Sequence, residues 1–198
     1  MENQKIELQN LQKEQITVKI KGTTPLLMEK MNMDVVERYN KRKGQKIQGK
    51  DSKMEEDLIE SKIHYTSDGN IGFPAVGFWK GLVEVAPYIE GLDKKRVRGS
   101  IRILGGIIPI DYKKREINVT WGKTAGIKKS PRKIMRPEFT DWSCKLDIVY
   151  NRATISPEQI INLVNWAGFQ MGLGGWRPEH GGTYGQYEVS NGATHDGK

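Results

Sequence analysis

A glycine-rich stretch near the end of the chain holds residue types suited to binding an anion. Residues 172–189 read GLGGWRPEHGGTYGQYEV and contain six glycines. Consecutive glycines such as Gly181 and Gly182 let main-chain N–H groups converge on an anion. The guanidinium of Arg177 can hold a phosphate through two hydrogen bonds. The stretch therefore predicts a phosphate-facing loop. The other interpretation is a structural turn, because glycine-rich turns without ligands are common.

The same stretch carries aromatic side chains that could stack on a base: Trp176, Tyr184 and Tyr187. Stacking on aromatic rings is typical of proteins that bind single strands. In the structural interpretation, Trp176 instead packs on the sheet.

A second candidate cation lies in FPAVGFWKGLVEVA, residues 73–86. Apolar residues recur there at helical spacing, and Pro74 can begin the helix. Lys80 would lie about a turn into that helix, where it could reach a phosphate at the edge of a sheet. Gly81 beside it permits a close backbone approach. The alternative is an ordinary exposed helix lysine.

The histidines give no clear catalytic arrangement. They are His64, His180 and His195, and neither a nucleophile nor a metal-ligand spacing accompanies them. General acid–base catalysis needs a positioned partner that the sequence does not supply. We therefore predict no catalysis, no metal and no cofactor, with a ribonuclease that uses His64 or His180 as an alternative.

The basic residues are concentrated in two segments of a chain whose formal net charge is +8. Between residues 94 and 136 there are fourteen Lys and Arg against two acids, and residues 38–53 form a second basic run. Such segments are typical of proteins with a polyanionic partner, although solvated loops kept soluble by lysine are the alternative. The candidate contacts in the first segment are Lys128, Lys129, Arg132 and Lys133.

Alternating and helical hydrophobic patterns predict the elements that position these residues. Strands are predicted over residues 15–21, 98–104, 142–150 and 184–190, and helices over 74–86 and 157–171, the second opened by a capping box at Ser156. Further predictions are helices over 33–43 and 52–64, a hairpin of 107–111 with 116–121, and a loop over 122–138.

Without its insertions the order is strand, helix, strand, strand, helix, strand. This order predicts an α+β, ferredoxin-like (RRM-like) βαββαβ core in which two helices cover one face of the sheet. We predict one domain over residues 1–190, with long basic insertions at about 29–66 and 105–140 and a flexible tail at 191–198.

The sheet face left uncovered by helices would be basic. The cations predicted to point from it are Lys19, Lys21, Arg102 and Lys145. An open basic sheet is one way in which this topology binds single-stranded nucleic acid. Any solvated sheet face is polar, however, and Asp147 and Glu188 dilute the charge.

Two of these stretches resemble the RAMP superfamily, which includes backbone subunits of CRISPR effector complexes. Residues 73–86 resemble its Pro-containing segment that ends in Lys-Gly, with Phe73-Pro74 and Lys80-Gly81 in register. Residues 172–189 look like the glycine-rich loop between its last helix and last strand. The chain departs from the family at Glu84 and Val85, near which family members often have an arginine. It also looks similar to proteins of phages and prophages.

The resemblance implies a ferredoxin-like core, binding of single-stranded RNA or DNA, and side-by-side assembly along the strand. We therefore predict a non-catalytic, cytoplasmic nucleic-acid-binding protein with low sequence specificity that forms a homo-oligomer on its ligand, without a membrane. The alternative is a phage anti-defence protein that sequesters a cyclic nucleotide or mimics a host CRISPR subunit.

Overall fold

The structure is a computed structural model that describes residues 11–30, 37, 51–123, 131–190 and 194–195. The helix predicted over 33–43 lies outside this part of the chain apart from Glu37, which is helical. No helix in the described ranges is both long and apolar enough to cross a membrane.

The helices and strands of these residues alternate along the chain. The helices are α1 (Asp51–Glu60), α2 (Ala75–Val85), α3 (Lys94–Ser100) and α4 (Pro157–Gln170), with 3-10 turns at Ala86–Tyr88 and Pro178–His180. The strands are β1 (Lys13–Gly22), β2 (Leu26–Leu27), β3 (His64–Tyr65), β4 (Ile71–Pro74), β5 (Ile101–Ile103), β6 (Ile107–Asp111), β7 (Lys114–Lys123), β8 (Pro131–Thr140), β9 (Ser143–Asn151), β10 (Tyr187–Val189) and β11 (Thr194–His195).

The predicted ferredoxin-like core is confirmed. Strands β10, β1, β9 and β5 lie side by side in that order and are antiparallel. In chain order this is 4-1-3-2, with α2 and α4 as the helices of the two crossovers. Strand β6 shares the edge of β9 with β5 and continues the sheet through β4 to β3.

The core forms because β1 and β9 each bury every second side chain. Helices α2 and α4 cover this apolar face, and they approach closely because residue 81 is glycine: a Cβ there would lie 3.4 Å from that of Ala167. Helix α4 begins with the predicted capping box, in which Ser156 and Gln159 each accept the other's backbone N–H. The strands and helices thus present one face to the core and one to solvent.

The predicted hairpin of β6 with β7 is wrong. Strand β7 pairs over its whole length with β8, in a region predicted as a loop, and β8 also pairs with β2 in a separate three-stranded sheet. Pro131, Pro137 and the basic residues of β8 made the segment read as a loop, yet Met135 and Phe139 alternate and are buried. Met135 packs against Leu58 and Ile59 of α1.

The strand predicted over 98–104 is shorter than expected, because residues 98–100 end helix α3. Asp93 caps that helix by accepting the N–H of Arg96 at 2.8 Å. At the other end of the chain, Thr194–His195 pairs with β1 within the segment predicted as a tail.

Candidate nucleic-acid interface

The two stretches that the sequence singled out lie on opposite walls of one cleft. Helix α2 and the strand before it form one wall, and the glycine-rich loop after α4 forms the other. The cleft encloses about 590 Å³, within the size range of small-molecule sites. Its charged lining residues, here called the cleft charges, are Lys80, Glu84, Arg98, Arg177 and Glu179.

Helix α2 presents Lys80 to this cleft. Phe78 and Leu82 are fully buried, so Lys80 lies on the exposed side of the helix, as does Val76 one turn earlier. Gly77 leaves room for the ring of Phe73, which a Cβ at residue 77 would approach to 2.7 Å. The predicted position of Lys80 on the helix is thus observed.

Arg177 is held in place by its own loop. Its Nε donates to Oε2 of Glu179 at 2.7 Å, its Nη2 lies 2.5 Å from the same oxygen, and its Nη1 donates to the carbonyl oxygen of Gly174 at 3.0 Å. Both charged side chains remain about one third exposed. The guanidinium therefore has a fixed orientation at the wall of the cleft, with one edge occupied by a carboxylate.

The other two cations of the cleft are unpaired. Within the part of the chain that the structure describes, the side chains of Lys80 and Arg98 make no hydrogen bond or ion pair, and both are exposed. Glu84 pairs instead with Lys94. Arg98 did not stand out in the sequence, because only the fold of α3 brings it to the cleft.

The loop glycines serve the packing of the loop itself. Gly181 N–H donates to the Pro178 carbonyl at 2.9 Å, and Gly182 N–H to the Arg177 carbonyl at 3.1 Å. A Cβ at Gly182 would lie 1.8 Å from the carbonyl oxygen of Trp176, so only glycine fits there. The amides expected to face an anion are thus engaged within the loop, and the side chains carry the available positive charge.

Trp176 lies over a buried arginine. The Cζ atom of Arg136 is 5.3 Å from the centre of the indole ring, and the Arg136 Nε donates to Glu29 at 2.9 Å. Tyr184 lies at 6.3 Å from Trp176, ring centre to ring centre. Trp176 keeps 41% of its surface exposed, so one side of the indole remains open to a base. Tyr187 is buried in the core and does not offer a stacking surface.

The basic sheet face lies on the other side of the core from the cleft. Lys19 and Lys145 stand directly opposite each other on β1 and β9, and Lys21 stands opposite Ser143. These lysines are exposed. Arg102 donates instead to the main-chain oxygens of Arg98 and Ile101, which turns its guanidinium toward the end of α3.

The predicted contacts of the basic insertion divide differently. Lys133 pairs with Glu55 of α1 at 3.1 Å. Lys128 and Lys129 lie outside the described residues, as does the side chain of Arg132. Strand β7 exposes Ile117, Val119 and Trp121.

The histidines are not brought together among the described residues. His64 packs near Phe73, with ring centres 6.2 Å apart, and burial, followed by the charge of Lys30, lowers its pKa. His180 is exposed in the loop, 3.9 Å from Glu179. No group of three His, Cys, Asp or Glu suited to a metal occurs in the described ranges.

Comparison with known proteins places the fold. No protein-family profile matches the sequence, and no curated protein matches it. The chain is similar to a chain in the cryo-EM structure of the Type III-B Cmr-beta bound to cognate target RNA, with a TM-score of 0.59 and 18% sequence identity. The similarity covers 93% of this chain and 61% of that one. The two chains share a fold, and this chain spans less than two thirds of its neighbour's length.

Proposed function

We propose that this chain binds single-stranded nucleic acid, without cleaving it, through the cleft between α2 and the glycine-rich loop. One observation carries the proposal: two stretches about a hundred residues apart in sequence supply Lys80 and Arg177 to the same cleft. Arg98 adds a third cation. Three cations in a channel-like groove fit a chain of phosphates better than a neutral ligand.

The chemistry of the cleft favours phosphate contacts over base readout. Lys80 is a flexible point charge, and Arg177 presents the planar fork that matches the oxygens of a phosphate. Contacts to phosphates position a strand without reading its sequence. Low sequence specificity follows, with Trp176 as a stacking surface for any base.

RNA is the ligand we put first. The similar structure is described as bound to cognate target RNA, and the shared fold makes RNA the natural first probe for this chain. Single-stranded DNA of the same sequence is the matched comparison, because only contacts to the 2′-hydroxyl separate the two.

The test is fluorescence anisotropy with two unrelated single-stranded RNA oligonucleotides at low salt. Lys80→Ala and Arg177→Ala should each weaken binding roughly fivefold for both sequences, the scale of a partly exposed charge-assisted contact. Lys95→Ala is the matched control, since it removes an exposed positive charge from α3 outside the cleft. Its effect should stay below about twofold.

Absence of binding by the unaltered protein at low salt would overturn the proposal. Equal losses in Lys80→Ala and Lys95→Ala would move the site away from the cleft. A loss confined to one of the two RNA sequences would indicate base readout instead of phosphate contacts.

The size of the cleft favours one second candidate function. A volume of about 590 Å³ also suits a small phosphorylated ligand, so the chain could sequester a cyclic nucleotide as a phage anti-defence protein, or mimic a host CRISPR subunit. Thermal-shift assays with cyclic dinucleotides beside oligonucleotides separate the candidates, because the preferred ligand raises the melting temperature most. In both cases we place the protein in the cytoplasm.

Two parts of the proposal concern behaviour in solution. Incubation with end-labelled RNA should leave the RNA intact; cleavage lost in His64→Ala or His180→Ala would favour the ribonuclease alternative. Size-exclusion chromatography with and without an oligonucleotide tests assembly along the strand. A complex that grows with oligonucleotide length is expected.

A further inference from the structure

Glu179 occupies the edge of the Arg177 guanidinium that a ligand would use. The Nε and Nη2 atoms form one edge of the fork, and both contact Oε2 of Glu179, at 2.7 and 2.5 Å. This edge is the one through which arginine commonly holds a carboxylate or a phosphate with two hydrogen bonds. Nη1 is held by the carbonyl of Gly174.

We propose that Glu179 is the specificity-determining residue of the cleft: its carboxylate stands where a phosphodiester binds, and the ligand must displace it. This inference rests on the proposed function. It names the recognised group as an anion that presents two oxygens to one guanidinium edge, which the non-bridging oxygens of a phosphodiester do. Ligands without such a group leave the ion pair closed.

The local structure allows this exchange. Glu179 lies within the 3-10 turn Pro178–His180, and both partners of its ion pair are about one third exposed, so the carboxylate can turn into solvent. The turn ends at Gly181, whose φ of 75° is left-handed and around which a Cβ would meet nothing within 4 Å. Space for movement therefore exists beside the pair.

The remaining charges of the cleft determine which ligand wins the exchange. An isolated anion would replace one contact with Arg177 by another and gain little. A strand that also reaches the unpaired Lys80 and Arg98 gains contacts that Glu179 does not oppose. The ion pair is partly solvated and therefore weak, so such a strand displaces it.

The matched pair of variants is Glu179→Gln and Glu84→Gln. Both remove one negative charge from the same cleft, but only Glu179 contacts Arg177, because Glu84 pairs with Lys94. In anisotropy titrations with single-stranded RNA, Glu179→Gln should tighten binding about threefold, the scale of a partly exposed ion pair. Glu84→Gln should change the affinity by less than about 1.5-fold.

The double variant Arg177→Ala/Glu179→Gln assigns the effect to the ion pair. In the Arg177→Ala background, Glu179→Gln should bring no gain. Glu179→Asp, whose carboxylate is one methylene shorter, should give an intermediate gain and serves if the glutamine variant is unstable.

Equal gains in Glu179→Gln and Glu84→Gln would overturn the inference, because net charge alone would explain them. A gain that persists without Arg177 would overturn it as well. If the unaltered protein binds RNA but Glu179→Gln binds no better, only this inference fails. If neither binds RNA at low salt, the proposed function fails with it.

Discussion

At the scale of single residues, Gly181 and Gly182 test whether the loop is built for packing. A Cβ at Gly181 would meet nothing, but the φ of 75° is left-handed; at Gly182 a Cβ would lie 1.8 Å from a carbonyl oxygen. Gly181→Ala should therefore lower the free energy of unfolding by about 1 kcal/mol. Gly182→Ala should lower it by roughly 3 kcal/mol, because the backbone must move. Urea denaturation measures both.

The two alanine variants serve as controls for each other, since they differ only in the space around the new methyl group. Equal losses of stability would mean that the tight contact at Gly182 relaxes. A larger loss at Gly181 would contradict the loop geometry, in which the open position is the cheaper one to fill.

Residue types alone identified Lys80 and Arg177, because a lysine after a helix start and an arginine among glycines have few other uses in a phosphate-rich setting. Their partners were less accessible. The sequence places Glu179 two residues from Arg177, yet the ion pair depends on the 3-10 turn between them. Arg98 was not predicted because α3 brings it to the cleft from a segment expected to be a strand.

At the scale of elements, the pairing of β1 with β9 sets two like charges against each other. Lys19 and Lys145 are direct cross-strand neighbours on the exposed face, and such pairs are destabilising. Lys145→Thr should raise the free energy of unfolding by about 0.5 kcal/mol, since it removes the repulsion and introduces a good strand former. Urea denaturation at low ionic strength measures the gain.

A double-mutant cycle with Lys19→Thr separates the two causes. Strand propensity alone predicts additive gains, whereas repulsion predicts that the second substitution gains less than the first. High salt should reduce the coupling, because it screens exposed charges. Additive gains at low salt would show that the lysines avoid each other.

Elements with regular hydrophobic alternation could be predicted, and elements defined by pairing with distant strands could not. Strands β1 and β9 bury alternate residues and were found, whereas β8 carries two prolines and four cations beside its buried Met135 and Phe139. Its partners, β7 and β2, are what make it a strand. Local propensity does not contain that information.

At the scale of the whole molecule, the order of elements determined the core topology before any contact was known. A βαββαβ order has few right-handed, unknotted solutions, and the sheet order 4-1-3-2 is one of them. The distribution of function over that fold was less predictable. The sequence combined the cations of the sheet face with those of the loop, but the sheet separates Lys19 and Lys145 from the cleft charges.

That separation gives a prediction for the molecule as a whole. A short oligonucleotide cannot contact both surfaces, so removing two charges from one of them should matter more. Lys80→Ala/Arg98→Ala should reduce the slope of log affinity against log salt by about 1.4, because each phosphate contact to a single strand contributes about 0.7. Lys19→Ala/Lys145→Ala removes the same charge and should leave the slope nearly unchanged. Anisotropy titrations over a range of salt concentrations measure both; a larger change in the second variant would place the strand on the open sheet face.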